Sequence, residues 1–209
     1  RDANTARYTL GLGTLSLAHG ALREVGFRGA AEPILFKLAA DTGLRATISV
    51  LEGDHVVVID KVESPDFVEA PVGNGQHASW GFYPEKQERD IGVQWPAHAT
   101  ALGRVLLANA PQEQQEQYFA NTKLEKFTEL TEVDPRRLRQ ELECVRQLGY
   151  SLTDQQIHIT ARGLAAPIRD AACVVRAAVG IAGNRDLPNR KSTRLNSSHT
   201  DISRMPSSA

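Results

Sequence analysis

The sequence predicts an α+β domain built on an antiparallel sheet, and three observations carry that expectation. Hydrophobic spacing is helical as far as Leu38 and turns to alternation from Ala46 to Ile59. A capped amphipathic helix then runs from Asp134 to Gly149, and three extended runs follow it. Helices and strands therefore come in groups. Grouped elements favour an antiparallel sheet with flanking helices over a parallel, strictly alternating fold.

The elements follow in order. Leu15, Ala18, Leu22 and Val25 recur at intervals of three and four, which predicts a helix over about 12–25. Ala30, Ile34, Leu35 and Leu38 define a second helical face that meets Asp41-Thr42-Gly43, where glycine can take the left-handed conformation that closes a helix. Pro33 inside it implies a late start or a kink. Ala46, Ile48 and Val50, then Val56 to Ile59, stand on either side of Gly53-Asp54 and read as a β-hairpin. A third strand is expected at 67–72, then a long surface loop from Gly73 to Gly92, anchored by Trp80, Phe82 and Tyr83.

Ala101, Val105 and Ala108 mark a buried helical face within Ala97–Ala108. Asp134-Pro135 is a strong helix start, because aspartate accepts free N–H groups while proline occupies the first turn without losing a needed donor. Leu138, Leu142 and Val145 form its stripe and Gly149 ends it. Strands are expected near 150–154, 162–170 and 173–183, giving six strands and three or four helices.

At 209 residues and 41% hydrophobic, the chain can bury one substantial core. No stretch approaches the roughly 18–20 apolar residues of a membrane span, and the first residues lack a signal-peptide core, so a cytoplasmic protein without membrane contact is expected. Residues 190–209 hold Arg190, Lys191, Arg194 and Arg204 against Asp201, a net +3. With −1 for the whole chain, residues 1–189 carry −4. An acidic body repels phosphate, which argues against direct DNA binding by this stretch. Cys144 and Cys173 lie far apart in apolar patterns and are expected as buried thiols. The polar, aperiodic run from Lys191 to Ala209 resembles translated adaptor or vector sequence, so 190–209 is read as a non-native tail.

No catalytic or metal constellation emerges. The six histidines form no HExxH or His-x-His pair, and no glycine-rich phosphate loop is present, so neither cofactor nor metal is expected. His98 follows Trp95-Pro96 at the start of the small-residue helix, where a helix N-terminus can meet an anion; the alternative is a cap or packed histidine. Asp154 offers an acceptor for a ligand hydroxyl, or is a solvated turn residue. Arg162 offers a fork for a carboxylate, or is a surface residue.

The segments "LFKLAADTG" at 35–43, "VVVIDKVES" at 56–64, "PAHATALGRVLLA" at 96–108, "LECVRQLGYSLTDQQ" at 142–156 and "GLAAPIRD" at 163–170 resemble, in order, the motifs of IclR-type effector domains. The resemblance covers about 8–184 and implies a GAF/PAS-like fold with a six-stranded sheet and flanking helices. It also implies a non-enzymatic sensor of a small organic acid, a homodimer or homotetramer that reaches operator DNA only through a separate N-terminal winged helix-turn-helix domain. Residues 1–8 would then be the end of the wing and 9–189 the effector domain. That DNA reader and the family's last helix are expected to lie outside this chain.

Carried over by position, the effector site is expected at His98, Ala101, Leu102, Thr153, Asp154, Arg162, Gly163, Gly180 and Ala182. The family often has two serines on the last strand and paired small residues on the helix. Gly180, Ala182 and Leu102 depart from that pattern, which implies an apolar or aromatic acid, because buried polar ligand groups need partners. Two alternatives stand beside the sensor: an oligomerisation domain whose site is filled by Leu102, and a small hydrolase using His98 and Asp154.

Overall fold

The computed structural model describes residues 13–24, 26–65 and 91–184. The chain divides into two compact units at Ile34 and Leu35. The first holds α1 (Gly13–Glu24) and the opening turns of α2 (Arg28–Thr42). Both helices form as the periodicity predicts, and Pro33 is accommodated inside α2. The buried side of α2 is set one position over from the expected face. Leu35 and Ala39 are buried while Ile34 is 64% exposed.

The second unit carries a single six-stranded antiparallel sheet. Its strands are β1 (Arg45–Glu52), β2 (His55–Glu63), β3 (Gln94–Pro96), β4 (Ser151–Asp154), β5 (Ala161–Arg169) and β6 (Val175–Asn184), in the order β3-β2-β1-β6-β5-β4. The α+β class and the strand count agree with the expectation. The strand expected at 67–72 lies outside the described residues, and among those the sheet also includes β3, which the sequence reading did not place. Three residues ending at a proline are too short to show a period, and pairing with His55–Val57 makes them a strand.

Helices α3 (Ala101–Asn109), α4 (Gln112–Asn121) and α5 (Pro135–Leu148) complete the unit. α5 is built as its sequence dictates. Asp134 accepts from the Arg136 N–H at 2.8 Å, Pro135 opens the helix, and Gly149 closes it at φ 77°. Leu138, Leu142 and Val145 are its buried stripe. α4, absent from the sequence reading, is almost entirely polar and buries only Tyr118, so it offered no apolar period.

The core lies between one face of the sheet and these helices. Val56, Ala165 and Ala178 of the sheet pack with Ala101, Val105 and Leu106 of α3, Tyr118 of α4, and the α5 stripe. The cysteine expectation is corrected. Both thiols are exposed, Cys144 off the buried stripe of α5 and Cys173 in the β5–β6 turn at φ 61°. No helix among the described residues is long and apolar enough to cross a membrane.

Candidate functional site

Residues directly opposite one another on neighbouring strands point to the same side of a sheet. Thr153 of β4 faces Gly163 of β5, Gly163 faces Ala182 of β6, Ala182 faces Arg45 of β1, and Arg45 faces Glu63 of β2. These five form one transverse row. The next row on that face is Ser151, Ala165, Gly180, Thr47 and Lys61. Both rows have polar ends and small residues in the middle. α3 lies over them: a Cβ on Gly163 would stand 3.2 Å from Thr153 Oγ1 and 3.6 Å from Ala101 Cβ. One on Gly180 would stand 3.0 Å from Leu102 Cδ2.

The approach of α3 to the sheet is set by a short junction. After β3, Ala97–Ala99 make one 3-10 turn, and Thr100 caps α3 by accepting from the Gly103 N–H at 3.1 Å. Gly103 is packed so closely that a Cβ there would run into the backbone of Ala97. His98 sits in this turn at 1% exposure. Its Nε2 donates to the Glu125 carbonyl at 2.9 Å, and Nδ1 lies 3.4 Å from the Tyr118 hydroxyl. Burial holds the imidazole below its ordinary pKa and pushes the Tyr118 phenol up. Of the two readings of His98, the structure has the packed histidine.

Arg104 braces the same junction from inside. It is 5% exposed, with Nη1 2.7 Å from Glu141 Oε2 of α5. Its Nη2 donates to Gln156 Oε1 at 2.7 Å and its Nε to the His98 carbonyl at 2.7 Å. Gln156 in turn donates to the Leu130 carbonyl at 2.6 Å and accepts from the Glu132 N–H at 2.9 Å. The turn that follows Thr153 and Asp154 is therefore tied to α3, α5 and the loop before α5.

The sequence-derived site residues thus separate into three groups. Ala101, Leu102, Thr153, Gly163, Gly180 and Ala182 come together between α3 and one sheet face. Asp154 and Arg162 alternate to the other face, where Arg162 Nη2 is 2.7 Å from Asp154 Oδ2. The arginine does meet a carboxylate, that of its cross-strand neighbour. His98 is held by Glu125 and Tyr118, so the pair a hydrolase would use is divided between separate partners.

Sequence reasoning placed β1 as a strand but did not single out its buried polar side chains. Arg45, Thr47 and Ser49 are all buried, at 7%, 8% and 0% exposure, on the α3 face. The sequence reading named only Ala46, Ile48 and Val50 on this strand, the apolar side of its alternation. Here both sides of β1 are covered, and Ser49 Oγ has no hydrogen-bond partner among the described residues. The side chain of Arg45 is 8% exposed, and its Nη2 lies 2.8 Å from Glu63 Oε1. Lys61 Nζ is 3.6 Å from the same oxygen.

A six-stranded antiparallel sheet with helices packed on its face, and a small-residue floor beneath the first turn of a short helix, is the fold of IclR C-terminal domains. The chain belongs to the IclR family: residues 85–204 match the C-terminal domain of the bacterial transcriptional regulator IclR. The match also runs over much of the segment set apart as a tail, which lies outside the described residues. The chain is 29% identical over 174 residues to the HTH-type transcriptional regulator BhcR of Paracoccus denitrificans, covering 82% of this chain and 56% of that protein. It thus spans little more than half the length of that relative. The crystal structure of the Thermotoga maritima IclR superposes with a TM-score of 0.70 at 25% identity, over 94% of this chain and 73% of that one. An IclR homolog complexed with 4-hydroxybenzoate from Microbacterium hydrocarbonoxydans shares the fold, with a TM-score of 0.68 at 23% identity, over 89% of this chain and 70% of that one.

Proposed function

We propose that this domain senses an organic acid, aromatic in the first instance, for a cytoplasmic DNA-binding regulator. The observation that carries this reading is the floor of small residues in two adjacent rows, with Gly163 beneath Ala101 and Gly180 beneath Leu102, flanked by buried polar side chains. With no large side chain on that floor, α3 itself lies against it, so a flat ring would lodge there by displacing the Ala101 and Leu102 side of the helix. Family membership and the aromatic acid bound by the Microbacterium homolog support the same reading. Binding would act on operator DNA through a separate domain and an oligomer, by favouring one arrangement of the two over the other.

The test is thermal unfolding of the chain against a panel of aromatic and aliphatic carboxylic acids. An acid at about 100 times its dissociation constant adds about 2.7 kcal/mol to stability. A selective rise in Tm, lost in Thr153→Val, is the expected result. One observation favours a second reading. Leu102 Cδ2 approaches Gly180 closely enough to occupy the floor itself, and on that reading the domain would serve only for oligomerisation. A cooperative transition that no acid moves would select that reading.

A further inference from the structure

We propose that α3 and its junction move as one lever when the effector enters, and that Arg104 is the positioning residue through which the movement reaches the β4–β5 turn and α5. This rests on the sensor reading above and adds how occupancy of the floor is transmitted. The lever is a single body: Gly103 packs against the Ala97 backbone, Thr100 accepts from the Gly103 N–H, and Arg104 Nε donates to the His98 carbonyl at 2.7 Å. The other two corners of the same guanidinium tie that body to the rest of the unit. Nη1 holds Glu141 Oε2 and Nη2 holds Gln156 Oε1, each at 2.7 Å. A rigid planar fork bonded at three corners cannot follow one partner without leaving another.

Helix and floor are already in contact at Ala101 and Leu102, so an aromatic ring lodged between them adds about 3.5 Å to their separation, the spacing of carbon atoms in contact. Even a pivot about the far end of α3, where Asn109 is bonded to Arg169, moves Arg104 more than half as far as Ala101, because the rise per residue is constant. A hydrogen bond of 2.7 Å is lost beyond about 3.2 Å. The displacement exceeds that tolerance several times over, so the two outer bonds of Arg104 either break or carry their partners with them. The partners differ in freedom. Glu141 is 43% exposed and can follow from the surface of α5. Gln156 is pinned, with Nε2 donating to the Leu130 carbonyl at 2.6 Å and Oε1 accepting from the Glu132 N–H at 2.9 Å. Thr131 donates to the Gln156 carbonyl at 2.6 Å and Thr128 to the Gln155 carbonyl at 2.5 Å, lashing the same two segments together. Movement of the lever is therefore opposed at Gln156, and the load falls on the paired segments 128–132 and 155–156.

The experiment combines titration calorimetry of the full chain with thermal melts and amide hydrogen exchange, using 4-hydroxybenzoate first and then any acid of the panel that raises Tm. Gln156→Met, which frees the pinned corner, is expected to lower the Tm of the unliganded protein and yet tighten acid binding about fivefold or more, a coupling of ordinary size. In wild type, saturating acid should raise exchange at 128–132 and 155–156. A variant in which Tm falls while acid affinity stays the same or weakens would overturn the proposal and leave the sensor reading intact, since a purely structural tie lowers stability without opposing entry. Acid binding without the rise in exchange would overturn it equally. If Gln156→Met does not fold, Arg104→Lys, which keeps a cation for Glu141 and loses the fork to Gln156, decides by the same two readings. If wild type binds neither 4-hydroxybenzoate nor any acid of the panel, the sensor reading fails and the lever falls with it.

Discussion

His98 and Ser49 are both buried polar residues, and they differ in how their polar atoms are satisfied. The His98 imidazole is neutral, with Nε2 donating to a carbonyl, and burial lowers its folded pKa below the ordinary value of 6.5. As pH falls, the unfolded chain therefore takes up the proton first. The stabilising effect of the neutral ring is complete above about 6.5 and drains away as pH drops towards the folded value. Tm measured at pH 7.5, 6.5 and 5.5 should fall across that window, and His98→Gln, which keeps a donor for Glu125, should flatten the fall. Ser49, by contrast, loses no hydrogen bond within the described residues on substitution. Removing a buried hydroxyl of that kind is neutral or stabilising, by up to about 1 kcal/mol, so Ser49→Ala should hold or raise Tm in urea or thermal melts.

Elements whose ends are written in local chemistry were the most legible. α5 could be placed from Asp134, Pro135 and Gly149 alone, and Asp134→Ala should cost about 1 kcal/mol in denaturant melts, the value of a lost cap. α4 carried no such marks and gains its one buried contact through Tyr118. The start of α3 was placed three or four residues early. The turn Ala97–Ala99 is 3-10, and its geometry depends on Gly103 contacting the Ala97 backbone, a requirement spread over six residues that periodicity does not register. Gly103→Ala improves helix propensity by about 1 kcal/mol yet should destabilise by about 1–3 kcal/mol, because a backbone obstacle cannot rotate aside. Arg104 couples that turn to α5 and to the β4–β5 turn. Arg104→Met should cost about 2–3 kcal/mol, less than a fully buried pair, since Glu141 is 43% exposed. Circular dichroism melts would show either loss.

At the scale of the whole molecule, fold class and family were legible because ordered motifs mark both α3 and β5, the two elements that bracket the site. The grouping of the expected site residues was legible only in part. Thr153, Gly163, Gly180 and Ala182, named through motif position, share the α3 face of the sheet, while Asp154 and Arg162 fall on the other, because the two-residue period of a strand sends neighbours to opposite faces. Arg45, a buried charge on the same face, carried no such motif. It joins the row only through β1 pairing with β6, and a cross-strand neighbour so distant in sequence leaves no local trace.

That central seam has a kinetic side. β1 and β2 close as a local hairpin early in synthesis, but Arg45 meets Ala182 only after the last strand has emerged, so closing the seam bears the greatest loop-closure entropy in the sheet. Until it closes, β1 presents an unpaired edge. Any contact that spans β1 and β6 fastens the first strand of the sheet to the last, and it slows unfolding more than it speeds folding.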